Sequence, residues 1–265
     1  MGEKANKRSA FLAGNPFCCF CGGYTPATTI DHVPARTCFY KRIGPEGFEF
    51  PACSGCQTSS RKDEQIFGFY ARLMDQDDGR YDKKDASRLL TGIMNNAPHL
   101  IPNLALPASA KRKALREYGI AKPANEFLED IPLVGVPKDF HAAATVVGRK
   151  LALATHYREL GVIAGPDRLV TVHWSQLQIP VGADLSKQLE KLLANKTIGA
   201  RVNTDIGNQF SYDWGFNEGE ELFAICAQLC GSLMLLCAIA PAGRVQFSKH
   251  AKDWMPLTGP LPERT

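Results

Sequence analysis

The chain of 265 residues has no apolar segment behind its polar, basic start at Met1–Ala10, so the h-region of a secretory signal is missing. Asn6 stands where a myristoylation signal needs Ser or Thr. There is no internal repeat and no low-complexity tract, and beyond the first ten residues no segment combines low hydrophobicity with high charge. Walker loops, dinucleotide fingerprints and serine-hydrolase elbows are also lacking, so the common nucleotide-binding and acyl-transfer motifs are not a route to function. One long apolar run exists, Leu222 to Ala240, but Gln228, Gly231 and Ser232 interrupt its middle. Two buried strands or one core helix are expected there rather than a membrane span. Without a leader, the expected location is cytoplasmic. In that reducing compartment nine cysteines stay free, and Cys-x-x-Cys means metal binding or redox chemistry rather than a disulfide framework.

What the chain does have is 45% hydrophobic content, enough for one large or two modest cores, and a mildly basic net charge of +4. That charge permits a polyanionic partner without requiring one. Residues 1–13 read as a flexible basic tail. Residues 14–75 are rich in Cys, Gly and Pro, and read as a small metal-stapled unit, because so short a segment cannot build an adequate core alone. Short strands are expected at Thr28–Val33 and Phe48–Pro51. A helix is expected from Thr58 or Ser59 to Met74, where Ile66, Phe67, Phe69, Tyr70 and Leu73 recur at helical spacing. Residues 76–265 read as an α+β region of unknown role, with a boundary in 75–105 or one merged body. Helices are expected at 85–95, 108–118, 137–160 and 185–194. Loops are expected at 95–107 and 121–137, a strand at 169–174, and a β-meander over 200–240 with a turn at Asn217-Glu218-Gly219.

The most specific pattern is a pair of Cys-x-x-Cys knuckles, Cys18/Cys21 and Cys53/Cys56. Four thiolates at this spacing make a closed tetrahedral zinc site, and Gly22, Gly23 and Gly55 permit the tight turns around it. Ordinary buried cysteines are the alternative, and Cys19 and Cys38 are spare thiols in either case. Between the knuckles lies Asp31-His32, at a strand end before Pro34. Asp31 is a hard oxygen ligand suited to Mg2+ or Mn2+, and an imidazole titrating near neutrality can take a proton from water. Cys226 and Cys230, and the histidines at 99, 141, 156, 173 and 250, show no ligand spacing. Trp174, Trp214 and Trp254 read as core or edge aromatics.

Taken in order, Cys18-Cys19-Phe20-Cys21-Gly22, Thr29-Ile30-Asp31-His32-Val33-Pro34 and Pro51-Ala52-Cys53-Ser54-Gly55-Cys56-Gln57 resemble the zinc-bearing form of the HNH (ββα-metal, or His-Me finger) endonucleases. The resemblance covers about residues 16–70. It implies an α+β chain with an N-terminal ββα unit, and a metal-dependent hydrolase cutting nucleic-acid phosphodiesters, DNA more than RNA. It further implies His32 as general base and a structural Zn2+ on the four cysteines. A separate catalytic divalent ion, Mg2+ or another, would sit on Asp31 and on Gln57, which occupies the place of the family's Asn or His. That ion would stabilise charge on the phosphorane and the departing oxygen. Asp63 and Glu64 either supplement the ion or are ordinary first-turn helix charges. Within residues 1–72 nine Lys and Arg stand against six Asp and Glu, so most of the excess positive charge lies here. Arg36, Lys41, Arg42, Arg61 and Lys62 are the candidate phosphate contacts. A homodimer or a regulatory partner through the C-terminal region is the expected assembly. The competing reading is a non-catalytic zinc module that uses the same scaffold to bind nucleic acid or protein.

Overall fold

A computed structural model describes residues 3–75, 82–104, 106–117, 127–128, 135–176, 190–245 and 251–257. The chain is α+β. Helix α1 (Glu3–Gly14) occupies the stretch expected as a flexible tail. Its Lys, Ala, Arg and Glu residues are good helix formers, which outweighs the pull of its charge toward disorder. Strands β1 (Thr29–His32) and β2 (Glu49–Ala52) pair antiparallel with Asp31 opposite Phe50 and His32 opposite Glu49. Two helices follow, α2 (Ser54–Ser59) and α3 (Arg61–Leu73), where the apolar spacing predicts one. The break falls at Ser60, whose single hydroxyl proton has two acceptors in reach, Glu64 Oε1 at 2.8 Å and Cys56 O at 3.4 Å. Serine hydroxyls compete with the helical backbone in this way.

Helices α4 (Lys83–Asn96), α5 (Ala108–Glu117) and α6 (Lys138–Leu160) lie within a residue or two of their expected bounds, and 3-10 turns fill Pro98–Leu104 in the expected loop. Asp82 caps α4 by accepting from the Asp85 N–H at 3.0 Å, and Gly161, at φ 71°, ends α6 in the left-handed conformation that glycine tolerates. The remainder is mostly β: β3 (Arg168–Gln176), β4 (Asn195–Ile198), β5 (Phe210–Asn217), β6 (Leu222–Leu229) and β7 (Leu233–Pro241), then a short helix at Ala242–Val245 and β8 (Trp254–Pro256). They form one six-stranded antiparallel sheet in the order β4-β5-β6-β7-β3-β8. The long apolar run is therefore the β6–β7 hairpin, turning at Gly231-Ser232, and among the described residues no helix is long and apolar enough to cross a membrane. Of the helix expected at 185–194 the described residues start at 190, with helix at 190–192 and none at 193–194, and the loop expected at 121–137 falls largely outside the described residues.

α6 is the central element. One side packs on β3, β6 and β7, the other on α3. At Gly148 a Cβ would lie 2.4 Å from Val172 Cγ1 and 3.3 Å from Cys237 Sγ, so only glycine allows the helix this close to the sheet. Lys150, two residues on and about 200° around the helix, faces the opposite side. A single buried core joins Phe20, Phe50, Phe67 and Tyr70 of the N-terminal unit to Phe140, Leu151, Ile225 and Leu235 of the later elements. Phe67 and Tyr70 both meet Phe140, with ring centroids 5.8 and 5.1 Å apart.

Candidate functional site

The four knuckle cysteines come together with their sulfurs within 4.8 Å of one another. Tetrahedral zinc with Zn–S bonds of about 2.3 Å needs sulfurs roughly 3.8 Å apart, so small side-chain adjustments complete the site. The loops are built as knuckles. The Phe20 N–H points at Cys18 Sγ and the Cys56 N–H at Cys53 Sγ, each at 3.4 Å, and Gly22 and Gly23 turn the first loop at φ 68° and 79°. A hydrogen bond from Cys56, helped by backbone donors, draws the Cys18 thiol down to about 5, whereas Cys18 and burial push Cys56 up. A divalent cation is what lets four closely packed thiols ionise together. The cluster fits a metal ion such as zinc.

β1 carries Asp31 and His32 to the rim of a cavity of about 400 Å3, which Ala35, Arg36, Thr37, Arg42, Gln57, Arg61, Glu64 and Gln65 also line. Asp31, His32 and Gln57 thus line one cavity. Three of the five candidate phosphate contacts, Arg36, Arg42 and Arg61, line it too. The other two do not line it: Lys41 Nζ pairs with Asp82 at 3.7 Å, and Lys62 lines a second cavity of about 270 Å3 beside Asp63 and Asp139. The segment bearing Arg36 and Arg42 is held from several sides. Lys41 N donates to Asp85 Oδ2 at 2.7 Å, and Asp85 forms a buried 2.7 Å ion pair with Arg72. Tyr40 N donates to Gln209 Oε1, and Cys230 Sγ donates to Cys38 O. Gly68 of α3 lets Thr37 approach, since a Cβ there would lie 2.8 Å from its carbonyl carbon.

The imidazole of His32 is 30% exposed. Arg36 Nη2 donates to its Nε2 at 2.7 Å, and Glu49 Oε1 lies 3.5 Å from the same atom. Burial, then the neighbouring Arg36, holds His32 below its ordinary range, so at neutral pH it is uncharged with the Nε2 lone pair directed at the guanidinium. A neutral imidazole is the form a general base needs.

The expected ligands of a catalytic ion are placed otherwise than the sequence implies. Asp31 Oδ1 accepts the backbone N–H of His32 at 2.9 Å. Asp31 Oδ2 is buried and forms an ion pair with Lys150 Nζ at 2.5 Å. Lys150 also bonds to Glu64 Oε1, and donates to Ser60 Oγ at 2.8 Å. Gln57 spans β1: its Nε2 donates to Ile30 O at 3.1 Å and its Oε1 accepts from Thr29 Oγ1 at 3.2 Å. The carboxylates face an ammonium and the amide oxygen is occupied, so this donor set does not fit a divalent ion on Asp31 and Gln57. Glu64 is more than a first-turn helix charge, whereas Asp63, pushed up by burial, sits apart from Asp31.

Lys150 is the charged member of this cluster that the sequence pattern did not single out. Burial alone would lower its pKa, but Glu64 and Asp31 reverse that and hold it above the ordinary range. A signal was present: Phe140, Ala143, Val147, Leu151 and Ala154 form the apolar stripe of α6, and Lys150 lies within it. A charge on a core-facing stripe needs a partner. Nζ also lies 5.3 Å from the ring of Phe20, inside the first knuckle, which ties the ion cluster to the cysteine site. Compared with known proteins, the chain matches no family model, no curated protein and no solved structure.

Proposed function

We propose that the chain is an HNH-type endonuclease, a hydrolase of nucleic-acid phosphodiesters that acts on DNA more than RNA, with His32 as general base and zinc on Cys18, Cys21, Cys53 and Cys56 as a structural staple. The observation that carries this reading is the single cavity that joins His32 to Arg36, Arg42 and Arg61. A phosphodiester entering it meets three guanidiniums of a geometry suited to phosphate oxygens. Arg36 turning from His32 onto phosphate frees Nε2. The imidazole then takes a proton from water as that water attacks phosphorus, the bond from phosphorus to the departing sugar oxygen breaks, that oxygen takes a proton from solvent, and the guanidiniums offset the charge that develops on the phosphoryl oxygens. Zinc supplies the fold of the hairpin when bound, and no part of the reaction.

The test is cleavage of plasmid and single-stranded DNA by wild type and His32→Ala, with salt-dependent binding measured in parallel. Wild type cuts and His32→Ala does not, while both bind. Each of Arg36→Gln, Arg42→Gln and Arg61→Gln reduces the salt slope of binding by about 1. Equal cleavage by wild type and His32→Ala ends the proposal. A second reading, a non-catalytic nucleic-acid or protein-binding module, draws on the Asp31–Lys150 pair and the tethered Gln57. It predicts salt-sensitive binding and no cleavage by either protein.

A further inference from the structure

The cation site that the hairpin would offer a divalent ion is filled from within the chain. Lys150 is 7% exposed and sits in the middle of the 23-residue α6, pinned at that height by the close approach of Gly148 to β3. Its ammonium meets Asp31 Oδ2 of β1, Glu64 Oε1 of α3 and Ser60 Oγ at the junction that precedes α3. The other Asp31 oxygen, Oδ1, accepts the His32 N–H at 2.9 Å. A second cation at that carboxylate would sit within a few ångströms of the ammonium in a largely buried setting, where like charges repel.

We infer that Lys150 is the fixed positive charge of this centre, so that the cavity takes its phosphate ligand without a divalent ion on Asp31. Lys150 does not line the cavity and is a positioning residue. It neutralises Asp31 and Glu64 from behind, holds the Asp31 carboxylate that fixes the His32 backbone, and leaves Arg36, Arg42 and Arg61 as the charges that meet phosphate. The inference rests on reading the cavity as a phosphodiester site, but its consequence for metal binding is measurable without any cleavage.

The experiment is titration of the full-length, zinc-loaded protein with Mn2+, followed by electron paramagnetic resonance. Wild type and Lys150→Arg are expected to bind no stoichiometric Mn2+ up to about 1 mM, the weak end of carboxylate sites. Lys150→Met, checked for folding by circular dichroism, gains one site at least about tenfold tighter, since it frees two carboxylates from an ammonium, and a further Asp31→Asn removes that site. Stoichiometric Mn2+ binding by wild type that Asp31→Asn abolishes overturns the inference. A folded Lys150→Met that binds no Mn2+ overturns it as well. If Lys150→Met does not fold, the comparison of wild type, Lys150→Arg and Asp31→Asn decides alone. Failure of the hydrolase reading shows separately, as cleavage indifferent to His32→Ala, and leaves the metal titration to judge Lys150.

Discussion

Replacing Lys150 by Met keeps most of the volume of the side chain and removes its charge, so the cost is mainly electrostatic. The lysine side chain is 8% exposed, that of Asp31 10% and that of Glu64 13%, so water screens none of the three effectively. Removing one partner of a buried ion pair typically costs about 3–5 kcal/mol, because the remaining charge is left uncompensated. Two carboxylates are stranded here, which places Lys150→Met at the upper end of that range at pH 7. The cost should fall on acidification. Burial already holds Glu64 above its ordinary value, so its charge penalises the fold fully above the folded pKa and not at all below the unfolded 4.5. The assay is urea denaturation of the zinc-loaded protein at pH 7 and pH 5, with a cycle through Asp31→Asn and Glu64→Gln. The triple variant, with no charge left in the cluster, should return to within about 1.5 kcal/mol of wild type, as buried ion clusters replaced wholesale by neutral groups do. A loss below about 1 kcal/mol for Lys150→Met alone, unchanged between the two pH values, refutes the reasoning.

Metal analysis should find one zinc per chain, lost in Cys53→Ser, and chelation should unfold the hairpin around it, read as lost amide protection in residues 16–60. Gly148→Ala forces a Cβ to within 2.4 Å of Val172 Cγ1 and should cost about 1–3 kcal/mol by overpacking, measured by chemical denaturation; no loss would mean that α6 does not seat on the sheet as described. His156 is 2% exposed beside Phe223, with Nδ1 donating to Val162 O at 3.1 Å, and burial lowers its pKa to about 4. Its folded value lies below the unfolded 6.5, so protonation favours unfolding: stability is level above 6.5 and falls by up to about 3 kcal/mol as pH drops to 4. His156→Gln should flatten that part of the stability profile, and an unchanged acid slope would assign the loss elsewhere.

Much of the framework was legible in the sequence because it rests on local rules. The β6–β7 hairpin followed from Gly231-Ser232 inside an apolar run, and α6 from its length and the terminating Gly161. The cysteine cluster followed from spacing alone, since Cys-x-x-Cys forces each pair of sulfurs to one side of a tight turn. The break at Ser60 was not legible, because it depends on a hydroxyl that reaches the backbone, Glu64 and Lys150 together. Nor was helix α1 legible, where composition argued for charge and against order.

The sequence by itself determined that four thiols, an Asp-His pair and a basic surround belong to one unit, because fewer than sixty residues separate them and their turn chemistry is local. Only the tertiary structure decided what Asp31 faces. Lys150 lies 119 positions further along the chain, and its arrival at Asp31 depends on α6 being wedged between the sheet and α3, with Gly148 setting how deep it goes. Nothing local to residues 16–70 specifies that charge, and it is the charge that turns an expected metal ligand into half of a buried ion pair.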